Sequence, residues 1–180
     1  YEGHFGVGYG ICCFAPCGGD PGRNFGEQHE EKERKEMQER RAKEDAYVSL
    51  ARKTIEEYIR SGKRIEAPEG LPEEMYGRKA GVFVSIKEDG RLRGCIGTVC
   101  GVQPCVAEEI IENAVSASTR DPRFSPIEPE ELDRLVISVD VLGDMERISS
   151  LEELDVKKYG VVVTKGYKRG LLLPDLDGEN

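Results

Sequence analysis

The tightest constraint on this chain is a turn. Glu88-Asp89-Gly90 separates Gly81-Val82-Phe83-Val84-Ser85-Ile86, a strand-like run, from Arg91 to Val99, which returns as its partner. Strands joined by so short a turn must be antiparallel. A helix follows from about Pro104 to Thr119, with Pro104 suited to its first turn. Val106, Ile110, Ala114 and Ala117 form its apolar stripe, and Ala107, Ile111 and Val115 lie beside it. After Asp121-Pro122 the chain leaves the helix, because a residue before proline avoids helical angles. Pro129 to Leu132 reads as one helical turn. Leu135 to Leu142 reads as a strand with Ile137, Val139 and Val141 on one face. Ser150-Leu151-Glu152-Glu153 matches a capping box. Val161 to Thr164 and Leu171 to Leu173 flank a hairpin turn at Lys165 to Gly170. The fold class is α+β, a mainly antiparallel sheet with helices packed on it.

Three zones organise the chain. Residues 1–22 carry one strand-like segment, Phe5 to Phe14, ended by the breaker run Ala15 to Gly22. Gly6, Gly8 and Gly10 recur every second residue, which points to close approach of another backbone; no helix start follows, as a phosphate loop would need. Residues 23–45 form a charged helical linker. Glu31–Lys35, Glu36–Arg40 and Glu39–Lys43 are spaced i, i+4 with the acid first. Its few apolar residues cannot make a coiled-coil seam, so it reads as a solvated spacer or a partner-binding helix. Residues 46–180 are the folded domain. It opens on a helix with Tyr47, Leu50, Ala51, Ile55, Tyr58 and Ile59 on one face and Ser61-Gly62 at its end, then a loop from Pro68 to Pro72. Tyr1 at the start and the acidic tail ending at Asn180 both read as cut ends, so a piece of a longer protein is expected.

A net charge of −9 implies no nucleic-acid partner, since it repels a phosphate backbone. No apolar run approaches the roughly 18 residues that span a bilayer, and no signal peptide is visible; the expected setting is cytoplasmic, without membrane attachment. Six cysteines in that setting argue against a disulfide framework. Cys12-Cys13 and Cys17 have no matching second pair, and His4 and His29 are the only histidines. Cys95, Cys100 and Cys105 are spaced poorly for a metal. No metal ligands are assigned.

Chemistry concentrates around Cys95. Gly94 and Gly97 remove bulk near it, so that a ligand or another backbone can approach. Arg93, two residues earlier, is expected on the same strand face, where a guanidinium raises thiolate fraction. These are the marks of a cysteine nucleophile, set against a small buried hydrophobe with packing glycines around it. No histidine in the domain is available as a base. Arg120, Asp121 and Arg123 follow the second helix. Asp121 is placed to pair with Arg93 or Arg123, as an anion clamp or as a structural ion pair.

Leu92-Arg93-Gly94-Cys95-Ile96-Gly97 resembles, residue for residue, the six-residue signature of the AMMECR1 family. Asp121-Pro122-Arg123-Phe124-x-Pro126 with Glu128 to Leu132, Ile137-Ser138-Val139-x-Val141-Leu142, and Gly170 to Pro174 are similar to its later motifs, in order over residues 46–180. Family members run on past this point with a further helical segment. Tyr1 to Phe14 resembles the last strand of a class III extradiol-dioxygenase-like (LigB or Memo type) domain, whose iron ligands would lie upstream, so no cofactor is assigned within these residues. The resemblance implies an uncharacterised modification pathway, the AmmeMemoRadiSam set, with a Memo-like protein and a radical SAM enzyme as partners. Three roles follow: an enzyme subunit using Cys95 and Arg93 in a cleft, with Gly94, Gly97, Arg120, Asp121 and Arg123 lining it; a non-catalytic binding or scaffold module; or a regulatory domain fused to an extradiol-dioxygenase-like oxidoreductase.

Overall fold

The computed structural model describes residues 24–155 and 159–172. The strand expected between Phe5 and Phe14, and the end of the last motif at Leu173 and Pro174, lie outside them.

Helix α1, Phe25–Arg41, lies in the charged segment, and it buries none of its residues. Lys35 pairs with Glu31 at 2.7 Å on its exposed surface, a contact of small energetic worth. Its attachment is at the last residue: Arg41 Nη2 donates to the Leu132 carbonyl at 2.7 Å and lies 3.6 Å from Asp133. Helix α2, Ala46–Ser61, starts where the Asp45 carboxylate accepts the Val48 N–H at 2.9 Å. It stops at Gly62, whose φ of 71° only glycine adopts at no cost. Leu50, Ala51 and Ile55 are buried on one side of it, as the helical spacing requires. Arg52 is buried with them. It pairs with Glu44 and donates to the Leu135 carbonyl at 3.1 Å. Helix α3, Glu73–Gly77, is an addition to the expected elements. It is a single turn behind Pro72, too short for periodicity to show, yet Met75 in its middle is fully buried.

Strands β1 (Val82–Glu88), β2 (Arg91–Gly97) and β3 (Leu135–Val141) make one antiparallel sheet in the order β2-β1-β3. The turn between β1 and β2 has Asp89 and Gly90 both in the left-handed region, φ 50° and 75°. Such turns match the twist of the strands they join. Helix α4 runs Val106–Thr119. Its first residue follows the expected start because Cys105 is in extended conformation at the N-cap, leaving Pro104 just outside. Helices α2 and α4 cover one face of the sheet. Val82, Val84 and Ile86 from β1 meet Ile110, Ile111 and Ala114 of α4 there, all fully buried. Burying each of the larger side chains contributes about 1.5–3 kcal/mol.

A short 3-10 helix, Pro129–Arg134, buries Leu132 and leads into β3. The expected box at Ser150 is half formed, because the Ser150 hydroxyl meets the N–H of Glu152 and not that of Glu153. The Glu153 side chain accepts the Ser150 N–H at 2.9 Å, and the Ser150 hydroxyl accepts the Glu152 N–H at 3.2 Å. Strands β4 (Val161–Lys165) and β5 (Lys168–Leu172) pair as a hairpin, but the turn is only Gly166-Tyr167, since Lys165 and Lys168 to Gly170 lie in the paired strands and not in the expected longer turn. No helix of the described residues is long and apolar enough to cross a membrane.

The other face of the three-stranded sheet carries Phe83, Ser85, Lys87, Cys95, Ser138 and Asp140, which alternate with the core residues along their strands. None of the six is buried. Among the described residues the sheet therefore presents one packed face and one open face of half-buried and exposed side chains, and Cys95 is half-buried on the open one.

Candidate functional site

Cys95 stands opposite Ser85 on β1, and Sγ lies 3.2 Å from the Ser85 hydroxyl. The register explains the closeness. The neighbouring pairs carry the ladder hydrogen bonds, as Thr98 N–H to the Val82 carbonyl shows, so Cys95 and Ser85 are a non-hydrogen-bonded pair with side chains drawn together. The N–H and C=O of Cys95 consequently point away from β1, off the edge of the sheet. The N–H donates to Asp121 Oδ2 at 2.8 Å, and the carbonyl accepts from Arg123 Nη2 at 3.0 Å. Asp121 and Arg123 thus occupy the position that another strand would take.

The two clamp residues also hold each other. Arg123 Nε donates to Asp121 Oδ1 at 2.9 Å and Nη2 donates to Oδ2 at 2.7 Å, while the Arg123 N–H closes an Asx-type turn on Oδ1 at 3.1 Å. Asp121 is 4% exposed. The Arg123 guanidinium, ahead of the backbone donors of Cys95 and Arg123, holds its carboxyl far below the usual carboxylate range. Arg123 is raised in turn, first by Asp121 and also by the Cys95 side chain beside it. Its guanidinium lies 5.5 Å from the Phe124 ring centre and its side chain stays 53% exposed. Of the two partners that the sequence left open for Asp121, the structure selects Arg123.

Arg93 has another assignment. The ladder shifts register beside it: Ile86 faces Gly94 but Lys87 faces Leu92, which leaves Arg93 as the unpaired residue of a bulge. The period of two breaks there, and with it the expectation that Arg93 shares the face of Cys95. Arg93 binds Glu131 through Nε at 2.6 Å and Nη2 at 3.0 Å, and donates to the carbonyls of Ser125 and Pro126. Glu131 is lowered chiefly by Arg93, and it also accepts the Glu128 N–H at 2.6 Å. Arg93 therefore pins residues 125–131 to the sheet, and the guanidinium that touches Cys95, at its carbonyl, is that of Arg123.

The space around the two glycines is filled by protein. A Cβ on Gly94 would lie 2.3 Å from the Ala117 carbonyl of α4, and one on Gly97 would lie 2.3 Å from the Phe83 ring. Both sites serve close packing. Arg120 pairs with Glu112 at 3.2 Å and takes no part in the clamp. Concavities beside Pro72 to Arg78 and along α1 are lined by other residues than Cys95. No group of three His, Cys, Asp or Glu among the described residues is placed to hold a metal ion.

One supporting residue escapes sequence reading. Glu109 on α4 is 1% exposed and accepts from the Thr98 hydroxyl and from the N–H groups of Val102 and Gln103 at 2.6–2.7 Å. Asn113, one turn on, donates to the Val82 carbonyl at 2.9 Å. Glu109 thus satisfies the backbone that leaves β2 after Gly97, and Asn113 holds the start of β1 beside it. Their i, i+4 spacing between two apolar stripes is the signal that they face inward.

The fold and site define an α+β domain whose antiparallel sheet is packed by helices on one face and displays a clamped cysteine on the other. The AMMECR1 family model matches residues 48–180, and the chain belongs to that family. A protein of Thermotoga maritima is 53% identical over 75% of this chain and 78% of its own length. A Clostridium acetobutylicum protein is 46% identical over the whole chain, which spans 38% of that protein. The crystal structure of an uncharacterized protein from Pyrococcus horikoshii matches with a TM-score of 0.66 and 40% identity, over 71% of this chain and 67% of that one.

Proposed function

We propose that this domain is an enzyme subunit that takes up a small electrophilic group on Cys95. The observation that carries the reading is the double clamp on the Cys95 peptide. Fixing both backbone groups from outside the sheet holds the sulfur, half-buried, on the face away from the core, with the Arg123 guanidinium on the carbonyl of the same residue. A cation next to a sulfur stabilises charge there during attack. In the reaction class implied, sulfur forms a bond to the electrophilic carbon, and the leaving group departs with the bonding pair and the thiol proton. Arg93 is a positioning residue. The Memo-like and radical SAM partners implied by the sequence resemblance fit such a role within a modification pathway.

The test uses a reference inside the same molecule. Cys100 is exposed and Cys95 only intermediate, so accessibility alone makes Cys100 the faster of the two. With iodoacetamide at neutral pH and peptide mapping, Cys95 is expected to react faster than Cys100. Reaction at or below the Cys100 rate removes the basis for a nucleophilic role.

The open face favours a second reading, a binding module without chemistry of its own. In that case Cys95→Ser keeps function in cells while Arg123→Gln loses it; a folded Cys95→Ser protein without function decides for the enzyme.

A further inference from the structure

Arg123 has hydrogen-bonding capacity that the clamp does not use. Nε and Nη2 are committed to Asp121 and to the Cys95 carbonyl. Nη1 has no partner among the described residues, and more than half of the side chain is exposed. The guanidinium cannot swing to find one, because three bonds to Asp121 and Cys95 and the Phe124 ring fix its plane. Asp121 cannot compete for a ligand in front of it. That carboxylate is buried and accepts from four donors: Arg123 Nε, Nη2 and N–H, and the Cys95 N–H. Beyond the sulfur the same sheet row continues with two hydroxyl side chains, Ser85 and Ser138, paired across β1 and β3. The row is a line of small polar groups with fixed guanidinium donors at one end.

We infer that the group bound at Cys95 is an oxyanion of the carboxylate or phosphate class, seated on the free Nη1 edge of Arg123 with its reacting end over the thiol. The inference rests on the reading of Cys95 as the reacting thiol and adds the class of ligand to it. Asp121 largely offsets the charge of Arg123, so selectivity comes from the direction of the donors more than from net charge. The expected affinity is that of a single site, open to solvent, for a small anion.

Two measurements separate this inference from the reading beneath it. In the first, iodoacetate and iodoacetamide are compared at Cys95 and at Cys100 in one sample. The neutral reagent reports the thiol alone. The ratio of anionic to neutral rates is expected to be several-fold higher at Cys95 than at Cys100, and Arg123→Gln is expected to bring the two ratios together. Equal ratios in the wild-type chain overturn the anion site even if Cys95 is fast with the neutral reagent. In the second, the backbone amides of Cys95 and Arg123 and the Arg123 side-chain Nε–H are followed by NMR during separate titrations with acetate and inorganic phosphate at constant ionic strength. Saturable shifts with acetate alone assign the site to carboxylates, and with phosphate alone to phosphoryl groups. No shift with either, beyond that given by chloride, overturns the proposal, and this readout needs neither a reactive thiol nor a variant that folds.

Discussion

Two arginine–carboxylate pairs tie the segment after α4 to strand β2, and they are built on opposite plans. Arg93 and Glu131 are far apart in sequence, and both side chains are 15% exposed. Every nitrogen of that guanidinium donates within the protein. Asp121 and Arg123 are two residues apart; there the carboxylate is buried at 2% and the guanidinium is left 53% exposed. The first pair is closed and can only anchor. The second divides its labour, with Asp121 facing the fold and Arg123 facing out. The same two functional groups make a structural tie in one place and a chemically available one in the other, and what separates them is how many donors the surrounding backbone consumes.

The largest effect expected is at the platform both pairs share. Gly94→Ala forces a Cβ into the Ala117 carbonyl, backbone against backbone, so neither side yields easily. A loss of about 3 kcal/mol is expected in urea unfolding. Asp121→Asn comes next at about 2–3 kcal/mol, because one of its atoms turns from acceptor to donor amid four donors. Glu131→Gln is expected to cost about 1–2 kcal/mol. If Glu131→Gln proves the costlier, the closed pair and not the divided one holds the segment. Acid sharpens the contrast. Both carboxyls are held below their ordinary range, Asp121 mainly by Arg123 and Glu131 mainly by Arg93. The unfolded chain takes up those protons first, so this stability is present above about pH 4 and falls as pH drops toward the folded values. Between about pH 6 and pH 3 the wild-type urea midpoint should fall more steeply than that of Asp121→Asn. The smallest effect is at Arg123→Lys, about 1 kcal/mol or less for a half-exposed partner, with Cys95 alkylation slowed well beyond what that loss of stability explains.

Much of the fold is legible in the sequence because it depends on local signals. Ser61-Gly62 ends α2, Asp89-Gly90 sets the hairpin, and the Val82, Val84, Ile86 alternation marks the packed face. Helix α3 is not legible, since one turn carries no period. The site is half legible. Cys95, Asp121 and Arg123 stand out as residue types, but the choice of Arg123 over Arg93 rests on a bulge. A bulge is decided by how β1 and β2 align over several residues, not by anything local to Arg93. Glu109 is hidden for a related reason, because two of its three donors are the backbone N–H groups of residues 102 and 103, and a backbone donor leaves no mark in a sequence.

The placement of Asp121 and Arg123 on the outward-facing peptide of Cys95 has a consequence for how these molecules behave toward one another. A bare edge strand is a template on which a neighbour's chain can crystallise. At β2 that template is interrupted at mid-strand by side chains that mimic a partner without offering a next rung. β3, the opposite margin, has no such plug among the described residues at the peptides of Ile137 and Val139, which face away from β1. The two margins thus differ as surfaces for strand addition: β2 is interrupted at Cys95, and the interruption depends on the carboxylate at position 121.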